Sequence, residues 1–183
     1  MLVKVCKVEK TTLIVAVVIL VLVAIGGFYS YQQMKKPKSP TGEVVLKVKG
    51  KITRTNVGNE YHFDLAMLEK MIDTEFDWEC PWFGKYHWEG VSLVTLLKEL
   101  GVPDDAKYIK FTAKDGVTAE YPISMLKEHP KIILAIKMNG EYIPDDKVGP
   151  LRVVIPYDQY PELEEDYPPF PFTVGWIIEA EVG

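Results

Sequence analysis

Residues 107–143 read KYIKFTAKDGVTAEYPISMLKEHPKIILAIKMNGEYI, and this stretch decides the fold class. Lys107–Ala113 alternates polar and apolar side chains with a period of two, the pattern of a strand with one wet and one dry face. Lys114-Asp115-Gly116 turns the chain into a second such run, Val117–Tyr121. Asp-Gly between two runs of this kind marks a hairpin, because Gly takes a positive φ without steric cost. Ser124–His129 has room for one helical turn. Ile132–Met138 is a further strand, Asn139-Gly140 a tight turn, and Glu141–Ile143 the return strand. Hairpins joined by a single helical turn predict a mainly antiparallel, β-rich α+β domain rather than a doubly wound sheet.

The flanking segments agree. Upstream, Glu43–Arg54 alternates as a strand, with Gly50 as a bend or bulge, and Asn56–Glu60 is a turn. Asp64 is placed to cap a short helix carrying Leu65, Leu68 and Ile72 on one face. Thr74–Cys80 reads as a strand ending in a loop, CPWFGKYHWEG. Ser92 then caps a helix in which Leu93, Leu96, Leu97 and Leu100 recur at helical spacing, and Gly101 and Pro103 end it. Downstream, Leu151–Ile155 is a nearly continuous apolar strand, residues 156–172 form a loop rich in Pro, Tyr and acid, and Val174–Val182 is the last strand.

Charge divides the chain. Residues 1–40 carry six Lys and one Glu, whereas the rest carries fifteen Lys and Arg against twenty-five Asp and Glu. An acidic domain repels polyanions, so nucleic acid is excluded as a partner. The basic end flanks a membrane segment. From Thr11 to Met34 there is no charged side chain, and Leu13–Tyr29 reads LIVAVVILVLVAIGGFY. At 1.5 Å per residue a helix of this length reaches roughly 25–30 Å, enough to span the hydrocarbon core. The expected organisation is a tail at 1–10, a transmembrane anchor at 11–34 that contacts membrane lipid, a linker at 35–42 and a domain at 43–183. Ala24-Ile25-Gly26 has the form of a leader cleavage site, but the apolar run is longer than a leader's core, and the anchor reading is preferred. Lysines flank both ends, so the positive-inside rule is nearly balanced. A long domain after a ten-residue tail favours a single-pass protein with its domain on the extracytoplasmic side.

The chemistry-bearing residues are few. No phosphate-cradling glycine loop, CxxC or histidine pair at zinc spacing is present. An anchor separates Cys6 from Cys80 and leaves them unable to pair. Cys80 is then a small buried hydrophobe, a reactive thiol or a metal ligand. It lies in Phe76–Gly90, FDWECPWFGKYHWEG, which holds three of the four Trp. That aromatic wall serves a core, a pocket, or both. His129 reads as a surface residue closing a helical turn. Asp158, Glu162, Glu164, Glu165 and Asp166 lack the spacing of a calcium loop and read as a solvated loop.

Taken in order, these segments resemble the sulfite-oxidase fold, the oxidoreductase molybdopterin-binding domain family. The resemblance rests on Cys80 at a strand end, WEGVSLVTLLKELGV at 88–102, ILAIKMNGEYIP at 133–144, VGPLRVVIP at 148–156 and TVGWI at 173–177, and it covers roughly residues 44–182. It implies oxygen-atom transfer at molybdenum held by a pterin dithiolene, with Cys80 as the protein's thiolate ligand and Lys85, His87 and Arg152 as cofactor-pocket residues. It also implies an electron acceptor, a membrane redox partner for an anchored domain. The family's closing Lys-Trp is here Gly175-Trp176, and only Lys85 supplies a basic residue soon after Cys80. The alternative, favoured by the weak basic complement around Cys80, is a cofactor-free binding module that retains the fold.

Overall fold

The computed structural model describes residues 15–25, 37–80 and 84–183, with Cys80 described in its backbone only. The chain divides into two units, Met1–Lys36 and Pro37–Gly183. In the first, residues 15–25 form a helix, α1, whose Val, Ile and Leu side chains are each 50–68% exposed. Most of the expected anchor at 11–34, and Cys6 with it, lies outside the described residues. Among the described residues no helix is long and apolar enough to cross a membrane.

The second unit is mixed α+β and rich in strand. Its first sheet has the order β2-β1-β10-β5-β6, built from β1 (Val44–Gly50), β2 (Tyr61–Asp64), β5 (Tyr108–Ala113), β6 (Thr118–Pro122) and β10 (Ile177–Val182). The second runs β3-β4-β7-β8, from β3 (Thr74–Cys80), β4 (Gly84–Ser92), β7 (Ile133–Met138) and β8 (Glu141–Tyr142), with β9 (Arg152–Val154) also paired to β7. The helices are α2 (Leu65–Glu69), α3 (Leu93–Leu100), α4 (Ile123–Glu128), α5 (Leu163–Asp166) and α6 (Pro169–Phe172), with a 3₁₀ turn at Asp145–Lys147. The two expected hairpins form, β5–β6 around Lys114–Val117 and β7–β8 around Asn139-Gly140. Inward-facing Leu46, Val48, Ile109, Phe111, Tyr121 and Ile177 bury one face of the first sheet. Its other face carries cross-strand ion pairs such as Lys49–Glu179 and Lys110–Glu181.

Several local features depart from the sequence reading. The expected loop at 80–90 is largely a strand: Tyr86 and Trp88 alternate with Lys85, His87 and Glu89, and β4 pairs with β3 from Gly84 to Gly90. Its Trp, Pro and Gly content reads as loop, yet aromatics at alternate positions suit a half-buried strand. β1 and β10 are parallel, a pairing no local pattern encodes. Gly50 ends β1 at φ +95°, where a Cβ would lie 2.1 Å from the Val182 carbonyl oxygen, so only glycine fits. Asp64 does cap α2, accepting from Met67 N–H at 2.8 Å. Its other oxygen accepts from Thr41 and Gly42 N–H, each at 2.9 Å. The far end of the expected linker is therefore held to the domain. Ser92 does not cap α3 with its side chain. Its hydroxyl donates to the Pro130 carbonyl at 2.7 Å, while Asp73 accepts from Ser92 N–H at 2.8 Å. The acidic loop at 156–172 carries α5 and α6, and His129 Nε2 lies 3.0 Å from Glu162, pinning that loop to the end of α4.

Candidate functional site

β3 and β4 form a long hairpin that ends where Cys80 pairs with Gly84. The side chain of Cys80 and residues 81–83 lie outside the described residues, so the expected thiolate ligand falls there. The two candidate cations of this hairpin are described. Register places Lys85 opposite Glu79 and His87 opposite Asp77, on the face away from buried Phe76, Trp78 and Trp88. Lys85 Nζ is 3.7 Å from Asp77. His87 Nδ1 is 2.9 Å from Asp77 and its Nε2 is 3.8 Å from Glu75. The hydrogen bond to Asp77 raises the His87 pKa above its ordinary value, and Asp77 is lowered in turn. Lys85 also lines an open cleft of about 330 Å³ together with the carboxylates Asp77, Glu79 and Asp158. Both cations of the hairpin are thus set among carboxylates.

Arg152 is placed differently. β9 docks against the first half of β7, with Arg152 opposite Ala135, and leaves the Arg152 side chain only 3% exposed. Arg152 Nη2 donates to Thr173 Oγ1 at 3.1 Å, and the Thr173 hydroxyl donates to the Pro169 carbonyl at 2.7 Å. The hydroxyl proton is spent on Pro169, which leaves the oxygen's lone pairs facing the guanidinium. Both residues line a cavity of about 210 Å³ whose rim includes Asp115, Val148, Phe170 and Trp176. Phe170 is 71% exposed there. Behind the cavity, buried Tyr121 donates to the Phe172 carbonyl, and burial pushes its phenol well above the ordinary value while the Arg152 charge opposes the shift.

The rim carries unusual backbone. Among the described residues three non-glycines have positive φ, and two of them are Val148 at +62° and Trp176 at +48°. For a β-branched residue this is a genuine outlier, costing on the order of 1–3 kcal/mol and typical of functional sites. Trp176 N–H donates to the Val148 carbonyl at 2.7 Å, and its indole N–H to the Asp145 carbonyl at 2.7 Å. A Cβ at Gly175 would lie 2.5 Å from Val148 Cβ, so the close approach of the two segments requires glycine. The structure therefore joins Arg152 to Thr173 and Trp176, and does not bring Lys85 and His87 to it. Phe170 escapes sequence reasoning because the PPFPF run at 168–172 reads only as loop, and Thr173, though within the quoted TVGWI, gives no local sign of an arginine partner.

The site thus lies in a two-sheet α+β domain with a buried arginine beside a cavity. Residues 28–159 match the family described as "Oxidoreductase molybdopterin binding domain", and the chain belongs to that family. It is 31% identical over 87 residues to "Sulfite oxidase, mitochondrial" of Drosophila melanogaster, a match covering 43% of this chain and 15% of the relative. The fold is shared with the crystal structure of the sulfane dehydrogenase SoxCD from Paracoccus pantotrophus, at a TM-score of 0.55 and 18% identity, over 75% of this chain and 37% of that one. The chain thus spans a minor part of each.

The residues around Arg152 fit the cofactor that the family implies. A pterin phosphate needs a fixed cation with directed N–H donors, and a guanidinium held by Thr173 in a largely apolar wall supplies them. The Lys85 and His87 side chains, on the outer face with carboxylate partners, do not add to that cradle.

Proposed function

We propose that this chain is a membrane-anchored oxidoreductase domain that carries a molybdenum–pterin cofactor. The observation that carries the reading is Arg152: a 3% exposed guanidinium, oriented by Thr173 and lining a cavity, in a chain of the molybdopterin-binding family. Arg152 would hold the anionic end of the cofactor, with Thr173 bonded to its guanidinium and Trp176 and Phe170 lining the same cavity. Cys80 would supply the thiolate, a ligand type that suits a soft metal and coordinates in its deprotonated form. The bound group would supply oxygen-atom-transfer chemistry, and the protein the ligand, the orientation and the field. Electrons would pass to a redox partner at the membrane. The apolar, exposed helix at 15–25, inside a charge-free stretch from Thr11 to Met34, supports the anchor; a long domain after a ten-residue tail would then favour the extracytoplasmic side.

A second reading, a cofactor-free binding module on the same fold, draws on the hairpin cations: Lys85 and His87 face carboxylates rather than the cavity. Metal analysis of the full chain, purified from cells able to make the cofactor, separates the two. Stoichiometric molybdenum in the native chain, lost in Cys80→Ser, is the expected result. Well-folded native protein without molybdenum, or a Cys80→Ser chain that keeps it, sinks the first reading in favour of the second.

A further inference from the structure

Next to the cavity in sequence stands a second cation, Lys114, in the β5–β6 turn between Ala113 and Asp115, both of which line the cavity. Its N–H donates to the Trp176 carbonyl at 2.9 Å. Its ammonium lies 5.0 Å from the centre of the Trp176 ring and 2.5 Å from Asp145 Oδ1. The Asp145 backbone in turn accepts the Trp176 indole N–H, so Lys114, Asp145 and Trp176 form one clasp across the rim. The clasp includes Trp176 and lies near Val148, two of the non-glycine residues with positive φ among the described residues. Lys114 and Asp145 are both exposed, with side-chain accessibilities of 46% and 74%. An exposed pair of this kind is worth little and exchanges partners readily.

We propose that Lys114 is a further ligand-binding residue of the Arg152 cavity, released from Asp145 to meet a dianionic phosphate monoester. The inference rests on the reading of that cavity as the seat of the cofactor's anionic end. A phosphate monoester carries roughly −1.5 to −2 charges near neutrality. Arg152 balances one of them. Its guanidinium is held in one place by Thr173, whereas the lysine stem is long enough to rotate away from Asp145 toward the mouth. Asp115 is the opposing charge at the lip, with its Oδ1 accepting from Val117 N–H at 3.1 Å. The swing of Lys114 offsets that carboxylate and makes the mouth selective for a doubly charged head over a singly charged one.

The test uses the ¹⁵N-labelled full chain in detergent micelles, with phenyl phosphate as dianion and benzenesulfonate as monoanion, read at the Trp176 indole N–H. The native chain should prefer phenyl phosphate. Lys114→Met should weaken phenyl phosphate by about tenfold and leave benzenesulfonate nearly unchanged, so the preference collapses. Asp145→Asn should tighten phenyl phosphate by about threefold, because the lysine is already free. Lys114→Arg should retain the preference. If binding depends on Arg152 but Lys114→Met and Asp145→Asn shift it in the same direction, or not at all, the clasp is only structural and the proposal fails while the cavity reading stands. If phenyl phosphate does not bind, or binds equally well to Arg152→Met, both fall.

Discussion

Single residues carry distinct kinds of constraint here. Asp64, 3% exposed, accepts three backbone N–H groups, and these bonds hold its pKa below the ordinary carboxylate value. His87 is the converse, an exposed imidazole raised by its bond to Asp77. A raised histidine stabilises the fold fully below its unfolded value, about 6.5, and that contribution is lost as pH rises through the folded value. Its exposure keeps the effect small. In an NMR titration the His87 ring should therefore have a midpoint above about 6.5, and Asp77→Asn should bring it back toward that value. A midpoint unmoved by Asp77→Asn would show that the pair seen in the structure does not hold in solution. Arg152 shows how little chemistry composition reveals. It is one of only two arginines, and what sets it apart from Arg54 is burial and the Thr173 hydroxyl, which come from a loop about twenty residues away.

At the scale of elements, the second sheet depends on how closely β4 approaches β7. A Cβ added at Gly90 would lie 2.3 Å from the Leu134 carbonyl oxygen and 2.7 Å from Ala135 Cα, backbone atoms that cannot step aside. The register already shifts between Glu89 and Gly90, where β4 bends against β7. Because β9 pairs with β7 on its other side, this contact also supports Arg152. Gly90→Ala should destabilise the domain by about 1–3 kcal/mol, the usual cost of overpacking. Urea unfolding followed by tryptophan fluorescence measures it. An unchanged midpoint would mean that the two strands can separate at no cost. The loop at 156–172 illustrates a complementary point: α6 is only Pro169–Phe172, yet it accepts the Thr173 hydroxyl bond and carries Phe170 to the rim.

For the molecule as a whole, the proposed arrangement is a domain tethered by an N-terminal span. The full chain should remain in the membrane pellet after an alkaline carbonate wash and leave it only with detergent. A membrane-impermeant amine reagent added to intact cells should label lysines of the 43–183 region. Release by carbonate would remove the anchor, and labelling only after lysis would reverse its orientation. If the carbonate wash leaves the chain in the membrane, the proposed anchor would restrict the electron acceptor to partners within reach of the bilayer.

The sequence by itself determined the alternating strands β1, β5 and β6, the Asp-Gly and Asn-Gly hairpins, the leucine face of α3 and the cap at Asp64. Each of these is encoded by neighbours a few residues apart, so side-chain period and turn chemistry suffice. Through its resemblance to a family, the order of its motifs also singled out Arg152 as a candidate for a cofactor pocket. Only the tertiary structure decided the parallel pairing of β1 with β10, the β4 strand hidden in an aromatic stretch, and the separation of Lys85 and His87 from Arg152. It alone brought Thr173 and Trp176 to the cavity of Arg152, and Lys114 and Asp145 to Trp176. These depend on contacts between segments tens of residues apart, and register across a sheet, which decides the face each cation occupies, is a property of the partner strand as much as of the residue's own.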